Sequence, residues 1–125
     1  MKRIIRTANA PAAIGPYSQA VEINGTLYIS GQIPIDPSTG KIVEGDIKNQ
    51  TRQVFKNIEA ILKEAGYGFS NVVKSTCLLK EISDFKAMNE VYALHYPADH
   101  PARAAYSVKE LPLGALIEIE TIAVR

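Results

Sequence analysis

The sequence predicts an α+β fold, a single domain over residues 1–125 in which one mixed β-sheet carries two helices on one face. Three observations predict it. Asn24-Gly25, the favoured pair for a type I′ turn, separates two runs with period-two patterning. Near Asp46 the apolar period changes from two to the helical three and four. Beyond each helical stretch the chain returns to β-rich sequence, so strand and helix alternate.

The elements follow in order. Arg3–Ile5 is short enough to add only a small extra strand. Tyr17–Ile23 and Thr26–Gln32 are the strands of the hairpin. Pro34 through Gly40, with Asp36-Pro37-Ser38-Thr39-Gly40 inside it, reads as a turn-rich loop. A helix then presents Ile47, Thr51, Val54, Phe55, Ile58, Ile61, Leu62 and Ala65 along one stripe; Asp46 is placed to cap its start and Gly66 to end it. Val72–Leu79 is a strand. Ser83 or Asp84 opens a second helix with Phe85, Met88, Val91, Tyr92 and Tyr96 inward, and Pro97 stops it. Strands at Ala102–Val108 and Leu116–Val124 flank the turn Leu111-Pro112-Leu113-Gly114. Two helices cover one face of such a sheet. The other face still holds Tyr28, Ile122 and Val124, so it is expected to be a subunit interface.

Bulk properties narrow the function. Fourteen basic residues against thirteen acidic ones give a net charge of +1, so no single-signed field draws in nucleic acid or an anionic membrane. The one cysteine, Cys77, allows no intrachain disulfide and no cysteine metal cluster; its strand setting marks a buried structural thiol. No signal-peptide pattern or membrane-length apolar run occurs, and a cytoplasmic protein is expected. His95 and His100 lack the spacing of a metal pair, and no glycine loop is shaped to cradle phosphate. The expected site uses neither metal nor cofactor.

Two charged residues stand out on otherwise uncharged strands. Arg103 lies in Pro101-Ala102-Arg103-Ala104-Ala105-Tyr106, where small neighbours leave room for a ligand beside the guanidinium. Glu118 lies in Leu116-Ile117-Glu118-Ile119-Glu120, two residues from a second carboxylate on the same strand face, an arrangement that raises a pKa. An arginine fork that grips a carboxylate, beside an acid that moves a proton, suits a small α-keto or α-imino acid. The alternative is a structural salt bridge between the last two strands. Tyr17, after Gly15-Pro16, offers a hydroxyl, and Ser30-Gly31 marks a bulge or a close ligand approach within a bulky strand.

Taken together, Ala10-Pro11-Ala12-Ala13-Ile14-Gly15-Pro16-Tyr17-Ser18-Gln19-Ala20, Ser30-Gly31-Gln32-Ile33-Pro34, Asp84-Phe85 with Asn89, Pro101–Tyr106 and Ile117–Glu120 resemble the Rid (YjgF-type) family, within it the RidA group of enamine/imine deaminases. The resemblance runs from about Asn9 to Arg125. It implies a chorismate-mutase-like fold assembled as a homotrimer, with sites in clefts between subunits. It also implies hydrolysis of 2-iminopropanoate and 2-iminobutanoate, products of pyridoxal-phosphate-dependent dehydratases, to 2-oxo acids and ammonia. By position, Arg103 matches the carboxylate-binding arginine and Glu118 the water-positioning acid. Tyr17, Ser30 and Gly31 match pocket positions, and Phe85 and Asn89 wall the cleft. Some members carry cysteine two residues after the arginine, where this chain has Ala105. Competing readings are a non-catalytic ligand sensor or chaperone-like protein using the same cleft and, less favoured by the balanced charge, an endoribonuclease or translation inhibitor.

Overall fold

In the computed structural model, which describes residues Met1–Arg125, Asn24 and Gly25 both adopt positive φ (49° and 77°). That is the type I′ geometry whose twist matches the flanking strands. The turn joins β2 (Ala20–Ile23) to β3 (Thr26–Gln32), pairing Ala20 with Ile29 and Ile23 with Thr26. A short β1 (Arg3–Ile5) extends the sheet beyond β2.

β2 starts later than the alternation predicts. Tyr17 and Ser18 belong to a loop because Gln19 uses its amide there. The buried Gln19 side chain accepts from the Thr7 amide (2.8 Å) and donates to the carbonyls of Thr7, Ala10 and Pro11. Those bonds hold residues 7–19 as an irregular segment. The predicted loop at Pro34–Gly40 also contains more order than expected: β4 (Ile35–Asp36) and β5 (Lys41–Ile42) form a minimal antiparallel ribbon around the Asp36 turn.

Helix α1 (Ile47–Ala65) begins and ends where the caps predict. The Asp46 carboxylate accepts from the Asn49 amide at 2.9 Å, and Gly66 takes the left-handed conformation (φ 83°) that closes the helix. Every member of the predicted apolar stripe is buried. After β6 (Val72–Leu79) a single 3₁₀ turn at Ile82–Asp84 feeds α2 (Phe85–His95), so neither Ser83 nor Asp84 supplies a capping hydrogen bond. Met88, Val91, Tyr92 and Tyr96 are buried as expected, whereas Phe85 is half-buried beside the sheet edge. Phe55 ties the helices together: it stacks on His95 (centroids 4.2 Å, 11°) and meets Tyr92 and Tyr96 edge-on. Burial in that stack holds the His95 imidazole below its ordinary pKa.

With β7 (Ala102–Ser107) and β8 (Ile117–Val124), the sheet order is β1-β2-β3-β8-β6-β7. β8 pairs antiparallel with both β3 and β6, while β6 and β7 run parallel across the α2 crossover. Leu27, Ile29, Ser75, Cys77, Leu79, Ile117 and Ile119 face the helices and are buried. Their alternates face outward: Tyr28 is 49 % exposed, Tyr106 50 % and Val124 41 %, on a face that no helix of the chain covers.

Candidate functional site

The carboxylate half of the site is built where β3 bulges against β8. Ile29 pairs with Thr121 but Gln32 with Ile119, so Ser30 and Gly31 together occupy the length of one partner residue. The missing Cβ of Gly31 makes room for Glu118, because a Cβ there would stand 1.9 Å from Glu118 Oε2. The sequence reads Ser30-Gly31 as a bulge or a close ligand approach; the structure shows the bulge, and the group that comes close is the Glu118 carboxylate. Ser30 Oγ donates to the Ser18 carbonyl (2.6 Å), which ties the bulge to the loop bearing Tyr17. Tyr17 is 54 % exposed, and its hydroxyl accepts from the Ile14 amide at 3.4 Å. Burial first, and the Glu120 carboxylate second, raise the Glu118 pKa, the direction that the paired acids predict. Such a carboxylate is poised to take up a proton.

The cationic half lies at the opposite edge of the sheet. Arg103 projects from β7 towards α2, and Nη1 donates to Asn89 Oδ1 at 2.6 Å. Its guanidinium carbon stands 4.7 Å from the Tyr92 ring centroid and 5.2 Å from that of Phe85. The other guanidinium N–H groups have no acceptor in the protein. Arg103, Asn89, Tyr92, Ala93, His100 and Pro101 line an open hollow of about 490 Å³. The fork is thus held from behind and free in front, the disposition for gripping a carboxylate.

Two expectations need correction. β7 and β8 are not neighbours: β6 lies between them, which at the usual strand spacing separates their backbones by about 10 Å. Arg103 also lies on the helix-covered side, paired with buried Ser75, whereas Glu118 pairs with Leu78 on the open side. No salt bridge joins them, so the structural ion-pair alternative falls. Arg103 is exposed on an edge strand, and Glu118 is half-buried. Within one chain the predicted residues form two groups: Ser30, Gly31 and Glu118, with Tyr17 on the adjoining loop, and Arg103 with Phe85 and Asn89.

Sequence reasoning missed the second role of Tyr92, which it assigned to the core. Phe85, Asn89 and Tyr92 stand at i, i+4 and i+7, a single helical stripe, so the spacing carried the signal. His100, set aside as a metal ligand, lines the Arg103 hollow. Cys77 is fully buried, and burial pushes its thiol up to about 11, as an inert structural cysteine requires.

A small sheet with two helices on one face, carrying the Arg103 guanidinium and the raised-pKa Glu118 carboxylate at separate places, defines a small α+β domain. The chain belongs to the Endoribonuclease L-PSP family, the Rid family, whose model matches residues 7–125. It is 52% identical over 125 residues to human 2-iminobutanoate/2-iminopropanoate deaminase, covering 100% of this chain and 91% of that one. The crystal structure of the Rid-family protein YyfA from Yersinia pestis superposes with a TM-score of 0.97 at 51% identity, over the whole of both chains. Escherichia coli TdcF, solved with bound serine, gives a TM-score of 0.92 at 40% identity, covering 98% of each chain.

Proposed function

We infer that this chain is a 2-iminobutanoate/2-iminopropanoate deaminase, converting reactive enamine/imine intermediates to 2-oxo acids and ammonia. The observation that carries this is full-length identity of 52% to the human deaminase. The geometry adds a chemical route. The free edge of the Arg103 fork takes the substrate carboxylate in a charge-assisted, bidentate grip. A protonated imine is already electrophilic at carbon. Glu118 takes a proton from water as its oxygen bonds to that carbon, giving a carbinolamine. Glu118 passes that proton to nitrogen; as the C–N bond breaks the hydroxyl gives its proton back to Glu118, which hands it to the departing ammonia, so iminium plus water becomes 2-oxo acid plus ammonium. The bound serine of TdcF is a ligand of matching size, with an α-carboxylate of the kind Arg103 would hold.

One protomer keeps the two groups apart, so the reading includes assembly: a homotrimer in which the Arg103 edge of one subunit meets the Glu118 face of the next. The uncovered face bearing Tyr28, Tyr106 and Val124 supports that packing. Tyr17, Ser30 and Gly31 line the pocket, with Phe85 and Asn89 as its wall. No helix is long and apolar enough to cross a membrane, and we place the activity in the cytoplasm.

The family's endoribonuclease description motivates a second reading. A net charge of +1 gives it little electrostatic support, since polyanion binding rests on phosphate neutralisation. The test couples the protein to a threonine dehydratase and traps surviving imine with semicarbazide. Wild type should spare the imine from the trap, and Arg103→Ala should lose at least about a hundredfold in turnover while keeping its assembly. Undiminished turnover by that variant removes Arg103 from the mechanism. RNA cleavage that is lost in Arg103→Ala, without imine hydrolysis by wild type, transfers the site to the nuclease reading.

A further inference from the structure

We propose that Tyr92 is a positioning residue for Arg103, its ring acting as a fixed plate that aims the guanidinium at the substrate carboxylate. The proposal rests on the deaminase reading above and assigns a role that its binding residues do not cover.

An arginine on an exposed edge strand has a long stem and many rotamers, so an uncommitted fork spends little time aimed in one direction. Here α2 removes that freedom. Asn89 Oδ1 accepts from Nη1 at 2.6 Å, and the rings of Tyr92 and Phe85 stand 4.7 and 5.2 Å from the guanidinium carbon. Phe85 and Asn89 are half-buried and have some freedom of their own. Tyr92 has little: it is 6 % exposed, edge-on to the fully buried Phe55 (5.8 Å, 73°) and 4.8 Å from the Tyr96 ring. The nearer of the two rings is thus the one fixed by the core.

A second observation separates Tyr92 from an ordinary core aromatic. Its hydroxyl, the Tyr96 hydroxyl and Ser75 Oγ are all buried without a direct hydrogen-bond partner. Ser75 is the ladder partner of Arg103, and its hydroxyl opposes the upward pull of burial on the pKa of both tyrosines. The Ser75 hydroxyl thus lies near both phenols, on the strand beside that of Arg103. Buried polar groups without direct partners oppose stability, and a phenylalanine would avoid one of them. The ring rather than the hydroxyl meets the guanidinium, and packing against Phe55 and Tyr96 holds its plane.

Tyr92→Met keeps most of the volume and removes the ring; Tyr92→Phe keeps the ring. Steady-state kinetics on enzymatically generated 2-iminobutanoate and calorimetry with 2-oxobutanoate read substrate grip. NMR of the Arg103 Nε–H group reads its place over the ring. We expect Tyr92→Met to raise KM and the oxo-acid Kd about tenfold with kcat held within about threefold, because the loss falls on binding shared by ground and transition states. The ring-current shift of the Arg103 signal should collapse in that variant, and Tyr92→Phe should restore all three to within about twofold. Wild-type affinity in Tyr92→Met, or a Tyr92→Phe protein as impaired as Tyr92→Met, overturns the proposal. So does a wild-type Arg103 signal without a ring-current shift, a result that requires no variant to fold. Wild type that binds 2-oxobutanoate but hydrolyses no imine defeats the deaminase reading alone, and the Kd values still decide the role of Tyr92. Wild type that binds no oxo acid defeats both.

Discussion

Gly31 and Glu118 show how one absent side chain makes room for a carboxylate. A methyl at position 31 would occupy the space of Glu118 Oε2, yet Gly31 does not need a left-handed backbone. Gly31→Ala should therefore fold, because the end of a flexible carboxylate side chain gives way more easily than the sheet does. We expect turnover to fall by about a hundredfold with little change in Tm, measured by the coupled assay and thermal melting. Equal loss of stability and activity would show that the glycine serves the strand instead. Glu120 acts on the same carboxylate through space: its charge helps to raise the Glu118 pKa. If ionised Glu118 is the base, activity rises with pH through that pKa. Glu120→Gln should then move the acidic limb of the kcat/KM profile to lower pH, and a limb that stays in place or rises would count against Glu118 as its origin. Residue-level reasoning anticipated the bulge at Ser30-Gly31 and the raised pKa of Glu118, because bulges and paired acids are local features. It missed Tyr92 under Arg103, since that contact crosses from a helix to an edge strand.

Elements with strong periodicity and chemical punctuation were legible. Helix α1 carries its stripe, its Asp46 cap and its Gly66 stop within twenty-odd residues, and the hairpin carries Asn24-Gly25. The ribbon β4–β5 was not legible, because two-residue strands have no period to read. The start of β2 was misread for a tertiary reason, the claim that Gln19 makes on the preceding loop. The joints between elements depend on a partly exposed polar cluster. Glu22 accepts from Arg3 Nε (3.0 Å), Arg125 Nη2 (3.4 Å) and the Tyr67 hydroxyl (2.6 Å). The same two arginines also bond the Ala65 and Gly66 carbonyls, so β1, β2, the exit of α1 and the C-terminal residue are tied at one point. These bonds hold the Glu22 pKa below its ordinary value, Arg3 contributing most. A carboxylate with a depressed folded-state pKa stabilises above its unfolded pKa and loses that contribution as pH falls through the folded one. Glu22→Gln should therefore lower Tm at neutral pH, and the gap from wild type should close below about pH 4. A gap that persists unchanged into acid would mean that the carboxylate charge is not what the arginines use.

At the scale of the whole molecule the decisive fact is sheet order. Residues on consecutive strands invite the assumption of adjacency, and the sequence separation of Arg103 and Glu118 predicts a pair. The crossover through α2 sends β7 to the far edge, while β8 returns to the middle beside β3 and β6. No periodicity along the chain encodes that choice. The consequence is a chain whose cationic and acidic groups lie at separate places, and the proposed trimer would bring them together between subunits. Arg103→Ala and Glu118→Gln proteins should each be inactive alone. Unfolded together in equal amounts and refolded, they should form mixed trimers in which about a quarter of the clefts combine an intact arginine with an intact glutamate. Activity near a quarter of wild type, with mixed assemblies seen by native mass spectrometry, is the expected result. Mixed assemblies that remain inactive would contradict the shared site, and with it the claim that neighbouring subunits complete the chemistry.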